Sequence, residues 1–293
     1  MTDAGKLRAL LRQDGMIVAP GAYDGITAKL VAQAGFAAVY MTGAGTSATF
    51  GYPDFGLLSM SEMVGNAARI VRAAGLPVIA DADTGYGNEL NTVRTVREYE
   101  QSGVAGIHIE DQVSPKKCGH LDDKEIVPRE DWLAKIRAAA YARRDPDFLV
   151  IARTDSRAVA GFEEAIARAN AALQAGADMA FVEAAQTMQE VASIPQRVAG
   201  PCLLNVVHKG KTPELDLHEA ERMGYKLAIV PGLLFKAAMG ACEAALAALK
   251  AQHRHPVLQP DMTVREAFNR MGAEEWDALR TRFRPEEKRQ AAE

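Results

Sequence analysis

The sequence predicts a (β/α)₈ barrel, because short apolar runs alternate with helical stretches along most of its 293 residues. The runs lack the regular polar alternation of a half-exposed sheet, which is typical of parallel strands that helices cover on both faces. Glycine recurs where a helical stretch ends, and glycine readily adopts the left-handed conformation that ends a helix. The eight predicted strands are residues 16–19, 37–41, 78–80, 106–109, 148–152, 179–182, 203–207 and 227–230.

The stretches between these strands have the spacing of helices. Phe162, Ile166 and Ala169 follow one another at steps of four and three residues, which places them on one helix face. The fifth strand follows Asp145-Pro146-Asp147, a stop signal of another kind. Eight strands with short turns favour a closed barrel over an open doubly wound sheet, and the G-x-G-x-x-G fingerprint of that alternative is absent. The glycines that separate a helical stretch from the next strand are Gly35, Gly75, Gly103, Gly176, Gly200 and Gly224.

After the eighth strand, the chain continues with helical segments that a barrel does not need. Residues 233–252 are rich in alanine and predict a long helix. Thr263 and Glu266 have the spacing of a capping box that opens another helix. We predict a single barrel domain over residues 1–293, with residues 253–293 as a C-terminal helical extension. Such an extension packs either against another subunit of a homo-oligomer or against its own barrel.

Composition excludes several classes of partner. The chain is 48% hydrophobic, and its 34 basic and 38 acidic residues give a net charge of −4, which predicts no surface for nucleic acid or anionic membrane. Cys118, Cys202 and Cys242 form no C-x-x-C pair, which argues against a disulfide framework and a structural zinc site. No apolar run reaches the ~20 residues of a membrane span. We predict a cytoplasmic protein with a small-molecule substrate.

Polar side chains follow several predicted strands, where the active site of such a barrel is built. Asp81 and Asp83 follow the third strand and point the same way if the chain stays extended, and Glu110 follows the fourth. Several carboxylates together are typical ligands of Mg²⁺ or Mn²⁺. The alternative is that some of these aspartates cap the helices that follow. The other polar residues at strand ends are Thr42, Asp111, Arg153, Asp155, Glu183 and Asn205.

Two of these positions suit an anionic substrate. The planar guanidinium of Arg153 can hold a carboxylate through two hydrogen bonds, or it can pair with Glu183 or Asp155. The segment Thr42-Gly43-Ala44 supplies small residues and free backbone amides, which can also bind a carboxylate.

The segment Lys116-Lys117-Cys118-Gly119-His120 carries the most reactive chemistry in the sequence. Cationic neighbours favour the thiolate form of a cysteine, so Cys118 is predicted to have a readily transferred proton. Residues 115–122 are polar and are expected to form a lid that closes over the substrate. His120 is the histidine that we place in the chemistry, whereas His108 is predicted to be a core residue.

Three motifs together resemble the isocitrate lyase and phosphoenolpyruvate mutase superfamily. They are the segment from Lys116 to His120, Asp81-Ala82-Asp83-Thr84-Gly85-Tyr86-Gly87, and Gly106-Ile107-His108-Ile109-Glu110-Asp111-Gln112. The resemblance extends from Gly21 to Lys250, and the Lys-Lys-Cys-Gly-His loop is similar to that of the carbon–carbon lyases. The short chain looks like the branch that contains 2-methylisocitrate lyase and 2,3-dimethylmalate lyase.

The resemblance implies a (β/α)₈ TIM barrel whose last helix is exchanged between subunits, commonly in tetramers. It implies a Mg²⁺ site that Asp83 contacts most directly. Residues that would help through water are Asp54, Asp81 and Glu110. Residues that would hold the pyruvoyl carboxylate are Thr42, Gly43 and Ala44. Residues placed around the rest of the substrate are Gly119, Arg153, Glu183 and Asn205.

The activity that the resemblance implies is a retro-aldol (Claisen-type) cleavage of a 2-hydroxy dicarboxylate to pyruvate and a carboxylic acid. Cys118 would protonate the leaving product, with Lys116 and His120 stabilising the thiolate that remains. Tyr40, at the end of the second strand, is our candidate for the base that takes the substrate's hydroxyl proton. The alternative for Tyr40 is a packed tyrosine on that strand.

The chain departs from the pattern of 2-methylisocitrate lyase at residues 205–210, where Asn-Val-Val-His-Lys-Gly replaces Asn-Ile-Thr-Glu-Phe-Gly. This more apolar segment favours a 2-alkylmalate such as 2,3-dimethylmalate over the tricarboxylate 2-methylisocitrate. An oxaloacetate decarboxylase or hydrolase on the same scaffold is one alternative. A metal-binding barrel without turnover is an alternative of another class.

Overall fold

The structure, a computed structural model, describes residues 1–284, and within them eight parallel strands form a closed barrel. The strands are β1 Ile17–Ala22, β2 Val39–Met41, β3 Val78–Asp81, β4 Gly106–Glu110, β5 Leu149–Thr154, β6 Met179–Val182, β7 Cys202–Asn205 and β8 Leu227–Val230. Each strand pairs with the next, and β8 closes the barrel on β1 with Ile17 opposite Leu227. The predicted barrel and its strands are confirmed, although β1 extends to Ala22 and β7 already ends at Asn205.

Helices connect the strands and surround the barrel. The helices are α1 Asp3–Leu11, α2 Gly25–Gln33, α3 Gly43–Thr49, α4 Met60–Ala74, α5 Glu89–Gln101, α6 Arg129–Ala142, α7 Ser156–Val159, α8 Phe162–Gln174, α9 Met188–Arg197, α10 Leu217–Met223, α11 Leu233–Gln252, α12 Val264–Arg270 and α13 Ala273–Arg282. Helix α4 illustrates how the sequence sets their ends. Ser59 and Glu62 form a reciprocal capping box at its start, and Gly75 ends it with a φ of 61°.

Side chains alternate between the inside of the barrel and the layer beneath the helices. In β4, Ile107 and Ile109 are buried against the helix layer, whereas His108 faces Tyr40 and Phe181 inside the barrel. Leu7 of α1 packs into the same interior cluster. Because Glu110 lies two residues after His108, its side chain emerges on the interior side at the carboxyl end of the strand.

The described residues form two compact units, Met1–Ala237 and the part of the chain from Ala238 onward. In the second unit, the predicted capping box is present, with Thr263 and Glu266 at the start of α12. Phe268 and Trp276 in this unit are 62% and 71% exposed. Residues 285–293 of the predicted extension lie outside the described residues. Helix exchange between subunits stays a prediction.

None of the helices in residues 1–284 has the length and apolar character that crossing a membrane requires.

Candidate active site

A cavity of about 430 Å³ opens at the carboxyl ends of the strands. The predicted site residues that line it are Tyr40, Thr42, Ala44, Asp54, Asp81, Cys118, Gly119, His120, Arg153, Glu183 and Asn205. Four other predicted site residues are buried behind this lining, namely Gly43, Asp83, Glu110 and Lys116. Asp111 and Asp155 do not line the cavity, which differs from the expectation that all strand-end residues meet at one mouth.

Asp81 and Glu110 come together with a residue that the sequence analysis placed in the core, His108. One potential ligand atom from each of the three lies within 4.8 Å of the others. The Nε2 of His108 is 2.8 Å from the hydroxyl of Tyr40, but its buried Nδ1 has no hydrogen-bond partner among residues 1–284. Burial lowers the pKa of His108 to about 4, so the imidazole is neutral at pH 7. His108 lies two residues before Glu110 on one strand, so both side chains face the same side of the sheet. This spacing could have identified His108 as a site residue.

The buried carboxylate of Glu110 fits a bound cation. Neither of its oxygens accepts a hydrogen bond from the part of the chain that the structure describes, although Oε2 lies 3.2 Å from Nε of Arg153. Burial raises the pKa of Glu110 well above its usual value, since the guanidinium of Arg153 offsets the desolvation only in part. Asp81, His108 and Glu110 could therefore hold a metal ion.

Asp83 forms an ion pair with Lys116, and its role as the most direct metal ligand stays a prediction. Its Oδ1 lies 2.9 Å from Nζ of Lys116, which also lies 2.6 Å from Oδ1 of Asp54. Burial, with Asp54 and Asp81 adding negative charge, raises the pKa of Asp83 to about 6. Lys116 is 3% exposed and pairs with these two aspartates, which form an acidic cluster with Asp81 and Glu110. Its predicted role beside the thiol stays a prediction.

The thiol of Cys118 is more weakly acidic than the sequence suggested. Burial and the negative charge of Asp54 raise its pKa to about 11, and a hydrogen bond from the backbone of His120 opposes this only in part. The prediction that cationic neighbours favour the thiolate is therefore wrong, because burial and the carboxylate of Asp54 disfavour it. The thiol therefore keeps its proton at neutral pH and has one to donate.

The segment around Cys118 is docked onto the barrel. The backbone amide of Cys118 donates to the carbonyl of Asp54 at 3.0 Å. The side-chain amide of Gln112 holds both backbone polar groups of Lys117, at 2.8 and 2.9 Å. Lys124 donates to the carbonyls of Gly119 and Leu121. The predicted lid segment thus lies over the cavity.

His120 faces Glu183 and has a defined orientation. Its Nδ1 accepts a hydrogen bond from the backbone amide of Lys211 at 2.9 Å, so a neutral ring carries its proton on Nε2. That nitrogen lies 3.3 Å from Oε1 of Glu183, which also accepts from the amide of Asn205. Burial alone would raise the pKa of Glu183, but Arg153 and these hydrogen bonds hold it well below its usual range.

Arg153 makes the ion pairs that the sequence analysis left as an alternative. Its Nε and Nη2 donate to the carboxylate of Asp155 at 2.9 and 3.1 Å, and Nη2 lies 3.2 Å from Oε2 of Glu183. It also lines the cavity, so substrate binding remains open to it. Gly119 packs tightly here, since an added Cβ would lie 2.5 Å from Nη2 of Arg153 and from Cγ of Glu183.

The segment Thr42-Gly43-Ala44 forms the start of α3. The hydroxyl of Thr42 accepts a hydrogen bond from the amide of Gly45 at 3.3 Å and caps the helix. An added Cβ on Gly43 would overlap the carboxylate of Asp81, so only glycine allows this close approach. The predicted carboxylate binding by this segment stays a prediction.

Tyr40 is a buried tyrosine that also lines the cavity. Burial and the nearby Asp81 raise its pKa well above 10, and its hydroxyl is hydrogen bonded to His108. This environment disfavours the phenolate, because neither partner supplies positive charge. The role of Tyr40 as a base stays a prediction. Its observed contacts are those of the alternative, a packed tyrosine on β2.

Further residues that were not among the predicted site residues also line the cavity. Three lysines, Lys209, Lys211 and Lys236, are among these lining residues. The side chains that form the apolar part of the lining are Leu121, Val207, Pro231 and Phe235. His208, which replaces a glutamate of the 2-methylisocitrate lyase pattern, instead pairs with Glu214 and is exposed. The Val206-Val207 pair was the available signal for an apolar wall.

Comparisons with known proteins agree with the motifs. The phosphoenolpyruvate phosphomutase family matches residues 7–250. The 2,3-dimethylmalate lyase of Eubacterium barkeri is 52% identical over 232 residues, which cover 79% of this chain and 80% of the relative. The 2-methylisocitrate lyase of Aeropyrum pernix is 44% identical over 240 residues, which cover 82% of this chain and 77% of the relative.

Two solved structures align with most of the chain. A 2,3-dimethylmalate lyase of the PEP mutase/isocitrate lyase superfamily has a TM-score of 0.91 at 42% identity and covers 95% of this chain and 94% of its own. An oxaloacetate acetylhydrolase in complex with the inhibitor 3,3-difluorooxalacetate also has a TM-score of 0.91, at 38% identity, over 95% and 96% of the two chains. Because both folds align equally well, individual residues must separate the two activities.

Proposed function

The chain belongs to the phosphoenolpyruvate phosphomutase family, and on that premise we propose that it cleaves a 2-alkylmalate such as 2,3-dimethylmalate to pyruvate and a carboxylic acid. It is a carbon–carbon lyase of this superfamily, as its similarity to named lyases supports. The observation that supports the finer proposal is the position of Cys118, which lines the cavity in a lid segment docked onto the barrel.

The reaction requires one proton to leave the substrate and one to return. A base takes the proton from the C2 hydroxyl, the C2–C3 bond breaks as the C2 carbonyl forms, and the electron pair passes to C3. The thiol of Cys118 then donates its proton to C3, and the resulting thiolate regains a proton before the next turnover. With 2,3-dimethylmalate, the products are pyruvate and propionate. Tyr40 stays our candidate for the base.

The acidic cluster supports a divalent cation, which we propose to be Mg²⁺, with Mn²⁺ as the alternative. Asp81 and Glu110 would hold it, with Asp83 and Asp54 close by through their contacts with Lys116. The cation would supply charge stabilisation at the oxygen that becomes the carbonyl of pyruvate. Lys116 balances the charge of the two aspartates that it contacts, so the cluster need not be neutralised by the ion alone.

The apolar wall of the cavity supports a dicarboxylate with alkyl substituents. Val207 and Leu121 lie in the lining together with polar groups such as Arg153 and Asn205. An alkyl group against the apolar side avoids desolvating a third carboxylate, which 2-methylisocitrate would bring. Each methyl group that fills such a wall contributes about 1–3 kcal/mol to discrimination.

Hydrolysis of oxaloacetate is the second candidate function, since a solved acetylhydrolase aligns as well as a lyase does. The two candidates differ in products, which are pyruvate and propionate from 2,3-dimethylmalate but oxalate and acetate from oxaloacetate. Decarboxylation of oxaloacetate would instead give pyruvate and CO₂. A cytoplasmic location and a homotetramer with an exchanged helix are part of the same proposal.

A substrate panel with product analysis tests the proposal. The full chain is incubated with Mg²⁺ and, separately, 2,3-dimethylmalate, other 2-alkylmalates, 2-methylisocitrate, isocitrate and oxaloacetate. Equal amounts of pyruvate and propionate from 2,3-dimethylmalate are the expected result. Turnover of oxaloacetate alone, with oxalate among the products, would replace the lyase proposal by the hydrolase.

A further inference from the structure

We propose that Arg168, which lies outside the cavity, is a positioning residue for Arg153 and acts through Asp111 and Asp155. This inference rests on the proposed function, in which Arg153 contacts the substrate. Arg168 belongs to α8, is 5% exposed, and is absent from the cavity lining. Its effect on the reaction must therefore pass through other residues.

The first link joins Arg168 to Asp111. Nη1 of Arg168 donates to Oδ2 of Asp111 at 3.0 Å, while its Nη2 and Nε are held by the carbonyl of Val127 and the carboxylate of Glu164. Three donors thus fix the guanidinium in one orientation. Asp111 follows Glu110 and is directed away from the cavity, which explains why this strand-end acid is absent from the lining.

The second link joins Asp111 to the turn after β5. Oδ1 of Asp111 accepts a hydrogen bond from the backbone amide of Asp155 at 2.8 Å, and Oδ2 accepts one from the hydroxyl of Thr154 at 2.6 Å. Asp111 is fully buried, so these donors and Arg168 replace the water that its carboxylate lacks. The backbone position of Asp155 therefore depends on an anion that Arg168 holds in place.

The third link joins Asp155 to the cavity. Its carboxylate holds Nε and Nη2 of Arg153 through two hydrogen bonds, at 2.9 and 3.1 Å. The same guanidinium approaches Glu110 and Glu183 to 3.2 Å each. A shift of the Asp155 backbone would turn this planar group away from both glutamates and from a bound carboxylate. Through these contacts, the position of Arg168 on α8 determines the position of Arg153 at the substrate.

A double-mutant cycle between Arg168 and Arg153 tests this coupling, with KM and kcat measured for 2,3-dimethylmalate. Arg168→Met is expected to lower kcat/KM by about 100-fold, mainly through KM, because a misplaced binding group has an effect of this order. In the Arg153→Lys background the same change is expected to have little further effect, since the group that it positions is already altered. Equal effects in both backgrounds would overturn the inference.

Two further variants separate positioning from stability. Thr154→Val removes one donor to Asp111 without leaving an arginine unpaired. It therefore tests the second link, between Asp111 and the turn after β5, if Arg168→Met folds poorly. Arg143→Met breaks the ion pair of Arg143 with Asp178, which contributes no residue to the cavity, and it is expected to leave KM unchanged. A rise in KM for Arg143→Met equal to that for Arg168→Met would show a general loss of structure and overturn the inference.

The affinity for oxalate, measured by calorimetry in the same variants, gives a reading that needs no turnover. Oxalate carries two carboxylates, and Arg153 is expected to bind one of them. Weaker binding in Arg168→Met but not in Arg143→Met supports the coupling even if the wild type cleaves no member of the panel. Absence of cleavage then counts against the proposed function alone, whereas unchanged oxalate affinity in Arg168→Met counts against the inference.

Discussion

The ammonium of Lys116 lies 2.6 Å from Oδ1 of Asp54, which links the lid to the acidic cluster beneath the cavity. The same ammonium lies 2.9 Å from Asp83, so one lysine of the lid separates two carboxylates that would otherwise repel each other. Cys118 follows two residues later, where it lines the cavity. The lid segment therefore places a cation among the acids and a thiol in the lining of the cavity.

Lys116→Met tests this link through stability. Removing the ammonium leaves Asp54 and Asp83 without their shared partner, which for a buried pair costs about 3 kcal/mol or more. Urea unfolding in the presence of a chelator is the measurement, because a bound metal could mask the loss. The matched control is the adjacent Lys117→Met, whose side chain donates only to an exposed carbonyl and whose loss is expected to be within about 0.5 kcal/mol. Equal losses in both variants would contradict the assignment.

The pH dependence of Cys118 alkylation tests the state of the thiol. Because burial and Asp54 raise its pKa to about 11, the reactive thiolate at pH 8 is about 100-fold scarcer than for a thiol with the usual value of 9.0. The rate of reaction with iodoacetamide, measured in a Cys242→Ser background without the exposed thiol, should still be rising at pH 10. A plateau below pH 9 would mean that the thiolate is stabilised after all.

Gly119→Ala tests the close packing between the lid and the cavity. A Cβ at this position would lie 2.5 Å from the side chains of Arg153 and Glu183, so the lid must shift or those side chains must move. Overpacking of this kind costs about 1–3 kcal/mol, and kcat/KM should fall by about tenfold or more. Gly65→Ala is the matched control, because nothing lies within 4 Å of its added Cβ on an exposed part of α4. That variant should gain about 0.5–1 kcal/mol and keep full activity.

The fold was predictable because its signals are local. Apolar runs mark the strands, and glycines such as Gly75 end helices at the positions expected. Strand ends in such a barrel form the active site, so Asp81, Arg153 and Glu183 could be assigned to one cavity before any contact was known. The bounds of α11 also follow directly from its composition.

The contacts within the site were less predictable, because they depend on loops and on side-chain direction. The pairing of Lys116 with Asp54 joins residues that are distant in sequence, and no local pattern marks it. Alternation along a strand could have separated Asp111 from Glu110 and brought His108 into the site. The structure was needed to show that the partner of Asp111 is Arg168. The environment of Cys118 was misjudged for the same reason, since burial and Asp54, which is distant in sequence, raise the pKa of its thiol.

The kcat of Cys118→Ser with 2,3-dimethylmalate and Mg²⁺ tests the central claim most directly. If the thiol protonates C3, a hydroxyl is a poor substitute, and kcat should fall by about 10²–10⁴-fold while the unfolding free energy stays close to that of the wild type. Cys242→Ser, at an exposed cysteine outside the cavity, should keep full activity. A Cys118→Ser enzyme that releases pyruvate and propionate at the wild-type rate would contradict the role of the cysteine as the acid.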